Sequence, residues 1–299
     1  MEAIKLGILL MILFILFKSD AFCEKQDAYN CLKRGDLLDN YPNFVQYDKS
    51  RTDSVPYYYD CFLKNVKANY KNYGYAIYLA ANYYYDNDDF AKADSLYQIF
   101  LKIKQPKFYE DITYIDFGEK LNKEDLKFSP QGLFYYVYNS LCEINLKRNN
   151  YSLALKYIKL SEKSPFNHFC GNAYPTRRAF IAYTKARCYL GLNKQNSALM
   201  ELLPYIFNQE TEDYDNIITK ASQLLKNKYK DKTKEIVESA FKNIAVEEDK
   251  YEGTIYHSYY IKIDGILIYV HRIYPTGDEN EADSKKYLWN SDFYNMIKN

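Results

Sequence analysis

The sequence predicts an all-α protein, a solenoid of antiparallel helix pairs carrying a small C-terminal β-hairpin. Three observations predict it. A pattern of bulky and small residues at helical spacing recurs in three windows, residues 74–106, 135–168 and 179–212. Apolar residues then keep a helical period through residues 215–246. After residue 254 the period falls to two on both sides of Asp264-Gly265, the pattern of a hairpin.

Charge and composition bound the function before any motif is read. The 299 residues hold 40 Lys+Arg against 39 Asp+Glu, a net charge of +1, so no basic footprint for a nucleic acid exists. A hydrophobic share of 47% with 26% charged residues belongs to a globular chain. The anomaly is 35 tyrosines beside one tryptophan. Tyr, Asn, Lys, Ile and Phe are all encoded by AT-rich codons, a compositional source for part of that excess.

Residues 1–21 read as a signal peptide. Leu6 to Phe17 run apolar without a charge, twelve residues against the roughly 20 that a spanning helix needs. Ser19 and Ala21 set small residues at −3 and −1, which places cleavage after Ala21 and the protein in the periplasm or outside the cell. An envelope lipoprotein anchored at Cys23 is the weaker reading, since Asp20 and Phe22 fit a lipobox badly. No other stretch reaches membrane-spanning length, so no span is expected after cleavage.

Export gives the six cysteines an oxidising compartment and makes disulfides an expectation. Cys31 and Cys61, in an N-terminal helical and loop segment over 22–73, flank a Tyr/Pro/Asp-rich stretch and are the candidate bridge. Cys142 and Cys188 fall inside predicted helices, where a buried thiol serves as a small apolar group. His168 and Cys170 lack the spacing of a zinc site, and no metal or cofactor is expected.

In the first window Ile77, Ala81 and Tyr84 share one helical face, and Ala93, Tyr97 and Phe100 share another. The small residues let two helices approach closely, and the large ones fill the space beside them. Asn87-Asp88-Asp89 between them supplies a turn and an N-cap. The second window repeats the pattern with Tyr138, Leu141, Cys142, Tyr151, Ala154, Ile158 and Ser161, and has Asn145 at an aromatic position. The third places Ala182, Ala186, Tyr189, Ala198, Leu202 and Tyr205, departs at Lys185, and meets Pro204, which should kink or end its second helix.

This pattern resembles the tetratricopeptide repeat, and the resemblance implies a right-handed superhelix of helix pairs. Ala93, Ala154 and Ala198 stand 61 and 44 residues apart, where a tandem array repeats every ~34. The excess locates insertions near 107–132 and 166–176, on one rim of such an array. Residues 213–250 complete it as a capping helix pair, with Ile217, Ile218, Ala221, Leu224 and Leu225 on one face and Ile236, Val237, Ala240, Phe241 and Ile244 on the next.

Residues 251–299 carry the hairpin and a short helix anchored by Trp289 and Phe293. Pairing Ile263 with Ile266 puts Tyr259, Ile261, Ile263, Ile266, Ile268 and Val270 on a core face. That register sets His257 opposite Arg272 and His271 opposite Ser258, on opposite sides of the sheet.

No nucleophile elbow, phosphate loop, HExxH or Rossmann glycine pattern occurs, so no catalytic residues are assigned and a non-enzymatic role is expected. The resemblance implies instead a concave groove lined by first-helix residues. Mapped onto this chain these are Tyr75, Tyr78, Asn82 and Tyr85, then Tyr136, Asn139, Glu143 and Lys147, then Phe180, Tyr183 and Arg187. Tyr and Arg are residue types that dominate binding hot spots. The expected function is an exported scaffold or adaptor holding an extended segment of a protein partner. The alternative is a carbohydrate-binding component of an envelope uptake system, with the same rings stacking on sugars.

Overall fold

The computed structural model describes residues 55–65, 73–103, 130–165, 173–209, 211–251, 254–273 and 281–298. Residues 1–21, Cys23, Cys31, His168 and Cys170 lie outside them, so the expected signal peptide, its cleavage site and the expected Cys31–Cys61 bridge do too. The described chain is mostly helical with one small antiparallel sheet. It divides into two compact units, residues 1–144 with 164–167, and residues 145–163 with 168–299.

The first unit contains α1 (Val55–Asn65), α2 (Tyr73–Asp86), α3 (Phe90–Lys102) and most of α4 (Pro130–Lys147). Val55, Tyr59 and Phe62 of α1 pack on Ala76, Leu79 and Ala80 of α2, all buried. On the other side of the pair, Ala81 and Ala93 are fully buried, as are Tyr97 and Phe100. The alanines let α2 and α3 close together, and each large ring removed from water contributes about 1.5–3 kcal/mol. Asp89 caps α3 by accepting from the Lys92 backbone N–H at 3.1 Å, as its position in the sequence predicts.

The second unit holds α5 (Tyr151–Lys163), α6 (Ala173–Gly191), α7 (Gln195–Leu202), α8 (Tyr214–Tyr229) and α9 (Thr233–Lys242). It continues through strands β1 (Ala245–Tyr251), β2 (Thr254–Ile263) and β3 (Ile266–Ile273) to α10 (Glu281–Asn290) and α11 (Asp292–Lys298). Pro204 acts as expected: α7 stops at Leu202 and a single 3-10 turn, Leu203–Tyr205, follows. The predicted face of α8 is buried at Ile217, Ile218, Ala221, Leu224 and Leu225. Cys142 and Cys188 are buried within α4 and α6.

One turn is built three times. Asp88, Asn149 and Asn193 sit at φ of 60°, 58° and 58°. The next residues, Asp89, Asn150 and Lys194, donate their N–H to carbonyls five back, at Tyr84, Asn145 and Tyr189. Asp88, Asn149 and Asn193 themselves donate to Tyr85, Leu146 and Leu190. This double closure satisfies the last carbonyls of the first helix with a left-handed residue just past its end. Ala93, Ala154 and Ala198 then make the first bond of the following helix.

The C-terminal region differs from expectation in two ways. The helix predicted to reach Val246 ends at Lys242, and residues 245–251 form a third strand, so the sheet is β1-β2-β3 rather than a lone hairpin. A two-stranded hairpin is marginal by itself, and β1 supplies the missing pairing. The hairpin turn is as read, with Asp264 and Gly265 both at positive φ and Ile263 opposite Ile266.

The second difference is a bulge at Tyr259/Tyr260 that shifts the outer half of the hairpin by one residue. His257 therefore opposes Ile273 rather than Arg272, and His271 opposes Tyr259 rather than Ser258. The shift turns His271 onto the core side, where its ring stacks on Tyr259 at 5.4 Å. The two histidines thus share a face, contrary to the unshifted register.

The core face of the sheet, with Ile261, Ile263, Ile268 and Val270 buried, joins one apolar cluster with Leu203, Phe207, Phe241, Leu288, Phe293 and Ile297. Trp289 and Phe293 anchor the C-terminus as predicted, but on two short helices. Trp289 stands edge-on to Phe241 at 5.6 Å, and Phe293 edge-on to Phe207 at 6.0 Å.

Candidate binding surface

The first unit carries the groove residues predicted on α2 and, as far as Glu143, those on α4. Tyr78 lies on α2 beside Phe100 of α3, with ring centres 6.0 Å apart. Its phenol is pushed up by burial, against the hydrogen bond from Asn82, and the nearby Tyr136 and Asp86 add to the rise. Phe100 in turn lies 5.5 Å from Phe134 of α4, so rings of consecutive helix pairs share one local environment. Asn82 accepts a 2.7 Å hydrogen bond from the Tyr97 hydroxyl. Tyr85 stands edge-on to Phe90 at 5.7 Å.

Tyr97 is completely buried, and burial raises its phenol far above the ordinary range, against a hydrogen bond with Ser140 of α4. The phenol therefore stays protonated and acts as a donor at any physiological pH. Asp86, at the end of α2, is also raised by burial. Tyr136 is the open member, 40% exposed and held edge-on to Tyr135 at 5.1 Å. The helices thus present one outward ring, Tyr136, and a hydrogen-bonded tyrosine and asparagine, Tyr97 and Asn82. Such a surface offers apolar area with fixed polar tips, at little cost in side-chain entropy.

The remaining groove residues do not all share this arrangement. Asn139 and Glu143 are half-buried on α4. Lys147 is exposed. On α6, Phe180 is half-buried, Tyr183 packs against the second unit's core, and the Arg187 guanidinium lies 6.0 Å from the Tyr183 ring. Tyr75 falls within α2, and its side chain lies outside the described residues. Tyr97, which the repeat pattern treats as a packing residue, and Ser140, which it does not assign, are hydrogen-bonded to each other beside these helices. The signal was the hydroxyl of a tyrosine at a buried position, which must find a partner.

Among the described residues no group of three or more His, Cys, Asp or Glu is placed to hold a metal, and no helix is long and apolar enough to cross a membrane. No protein-family profile, no curated protein and no solved structure matches the chain.

Proposed function

We propose that the chain is an exported, tetratricopeptide-like repeat scaffold that binds an extended segment of a partner protein on the tyrosine-lined face of α2 and α4. The observation that carries this reading is the row of rings Tyr78, Phe100 and Phe134, from α2, α3 and α4, with Asn82 and Tyr97 of the same first pair hydrogen-bonded. A right-handed superhelix and a signal peptide cleaved after Ala21 belong to the same proposal. The repeated turn, the 61- and 44-residue spacing and the apolar run Leu6–Phe17 support them.

The test is selection of random displayed peptides on the full chain, followed by affinity measurement with Tyr136→Ala and Tyr78→Phe. Tyr136→Ala is expected to weaken enriched peptides at least about tenfold, the loss of one hot-spot ring. Tyr78→Phe removes only a polar tip and should cost less. A selection without enrichment, or enriched peptides indifferent to Tyr136, sinks the proposal. Glycans captured on an array and lost with Tyr136→Ala would put the carbohydrate reading in its place.

A further inference from the structure

The second unit contains a cleft of about 500 Å³ at which Glu162 of α5, Lys185 of α6 and Glu201 of α7 converge. Its volume is in the range of small-molecule sites. The Lys185 ammonium is 2.7 Å from the Glu162 carboxylate and 3.7 Å from Glu201, and Lys185 as a whole is only 8% exposed. Burial raises the Glu201 carboxyl, against the attraction of Lys185.

The three charges stand where the other repeats are apolar. Offsets of 44 and 61 residues, fixed by the shared turn, align Lys185 with Leu141 and Ala80, and Glu201 with Tyr157 and Leu96. The same offsets align Glu162 with Leu101 and Ile206, and Arg178 with Phe134 and Tyr73. The second helix pair (Glu162) and the third (Arg178, Lys185, Glu201) thus carry charged side chains at four positions that line one cleft and are apolar or aromatic in the aligned places. Lys185 is the buried member, and the Glu162 and Glu201 side chains are 45% and 27% exposed; holding a charge there gives no stability beyond an apolar residue of the same size, so packing alone does not account for it.

The donors left over define the ligand. Lys185 is held by the two glutamates, and Arg177 closes the end of α5 by donating to the carbonyls of Ser161 and Glu162 at 2.9 and 3.2 Å. Arg178, also on the lining, is exposed and forms no ion pair with a described residue. Beside it the phenol of Tyr205 is raised by burial, against the charge of Arg178, and so remains a donor. Three cations against two carboxylates leave the lining with one positive charge in surplus. Tyr174 and Tyr205 supply aromatic surface, and Ile181 and Ala182 an apolar floor.

We infer that this cleft binds a small organic anion, a carboxylate or phosphate head group on a flat apolar body. Arg178 and the Tyr205 hydroxyl take the head group, and the aromatic and apolar lining takes the body. The inference rests on none of the residues of the tyrosine surface.

The test titrates phenylacetate, phenyl phosphate and the neutral benzyl alcohol into the full chain, followed by NMR or calorimetry. At least one anion is expected to saturate below about 10 mM, with benzyl alcohol at least about tenfold weaker because it lacks the charge. The tighter anion identifies the head group. Arg178→Gln, at an exposed position, should weaken the anion by about tenfold or more while leaving Tm unchanged. A Glu162→Leu/Lys185→Leu/Glu201→Leu variant should melt no lower than the parent. Failure of both anions to saturate, equal binding of benzyl alcohol, wild-type affinity in Arg178→Gln, or a clear fall in Tm of the leucine variant would each overturn the inference.

Discussion

The Tyr97 hydroxyl and the Asn82 side-chain oxygen are 2.7 Å apart, and this bond ties α3 to α2 beneath the candidate binding surface. Tyr97→Phe keeps the ring and deletes the donor, leaving Asn82 short of a partner. The expected cost is about 1–2 kcal/mol in urea unfolding. The same bond has an alkaline signature. Burial holds the folded Tyr97 phenol above its unfolded value near 10, so its contribution is intact below that pH and fades as pH rises. Stability should fall above about pH 10, and less steeply in Tyr97→Phe. Parallel alkaline limbs for the two proteins would refute this assignment.

Gly191, the last residue of α6, leaves no room for a side chain. A β-carbon there meets the ring of Tyr151, the first residue of α5, at less than contact distance. Gly191→Ala is expected to destabilise by about 1–3 kcal/mol, the usual cost of overpacking. Combined with Tyr151→Leu, it should cost less than the sum of the two single changes, because the clash is shared. Additive losses in thermal or urea unfolding would show that Tyr151 is not the obstacle.

The three left-handed turn residues invite a parallel experiment. Asp88→Gly, Asn149→Gly and Asn193→Gly should each leave stability unchanged or raise it by roughly 0.5 kcal/mol, since glycine takes positive φ without strain. Valine at the same sites should cost about 1–2 kcal/mol. The three sites should respond alike despite their different neighbours, a comparison that thermal melts can make directly.

Asp264 at the hairpin tip accepts from Lys228 at 2.6 Å and from the Tyr229 hydroxyl at 2.5 Å. Burial raises its carboxyl, but these two hydrogen bonds and the Lys228 charge outweigh it and hold it below the usual range. A depressed folded pKa stabilises above the unfolded value, near 3.9, and that stabilisation disappears as pH falls through the folded value. Stability should therefore drop below about pH 4, by less than about 1 kcal/mol for a pair so near the surface. Asp264→Asn, which still tolerates the turn, should flatten this part of the acid limb in chemical denaturation.

The helix pairs were legible because their signal is local. Ala93, Ala154 and Ala198 mark the start of each second helix, and the spacing of small and bulky residues declares which faces meet. The bulge was not legible, because one extra residue in β3, Val270, opposite Tyr259/Tyr260 leaves the alternation of the tip intact while reversing His271. Strand β1 was hidden by its composition, since Glu247, Glu248 and Asp249 suit an exposed strand as well as a helix end. For the binding surface, residue types pointed to Tyr78 and Tyr136, but the role of Tyr97 depends on where a single hydroxyl lands. The cleft was visible only as the departure at Lys185; its partners Glu162 and Glu201 lie 23 and 16 residues away and meet it through folding alone.

The turn built three times fixes where this chain tolerates length. From Tyr84, Asn145 or Tyr189 to the following alanine the count of residues is invariant, while the distance from one turn to the next is 61 and then 44 residues. The length of the chain varies only in the links between turns, never inside the closures themselves. For an engineer this marks two kinds of site. Grafted loops and tags belong in the links, whereas one residue added between Tyr84 and Ala93 should break the closure and uncouple two helices that the rest of the unit relies on.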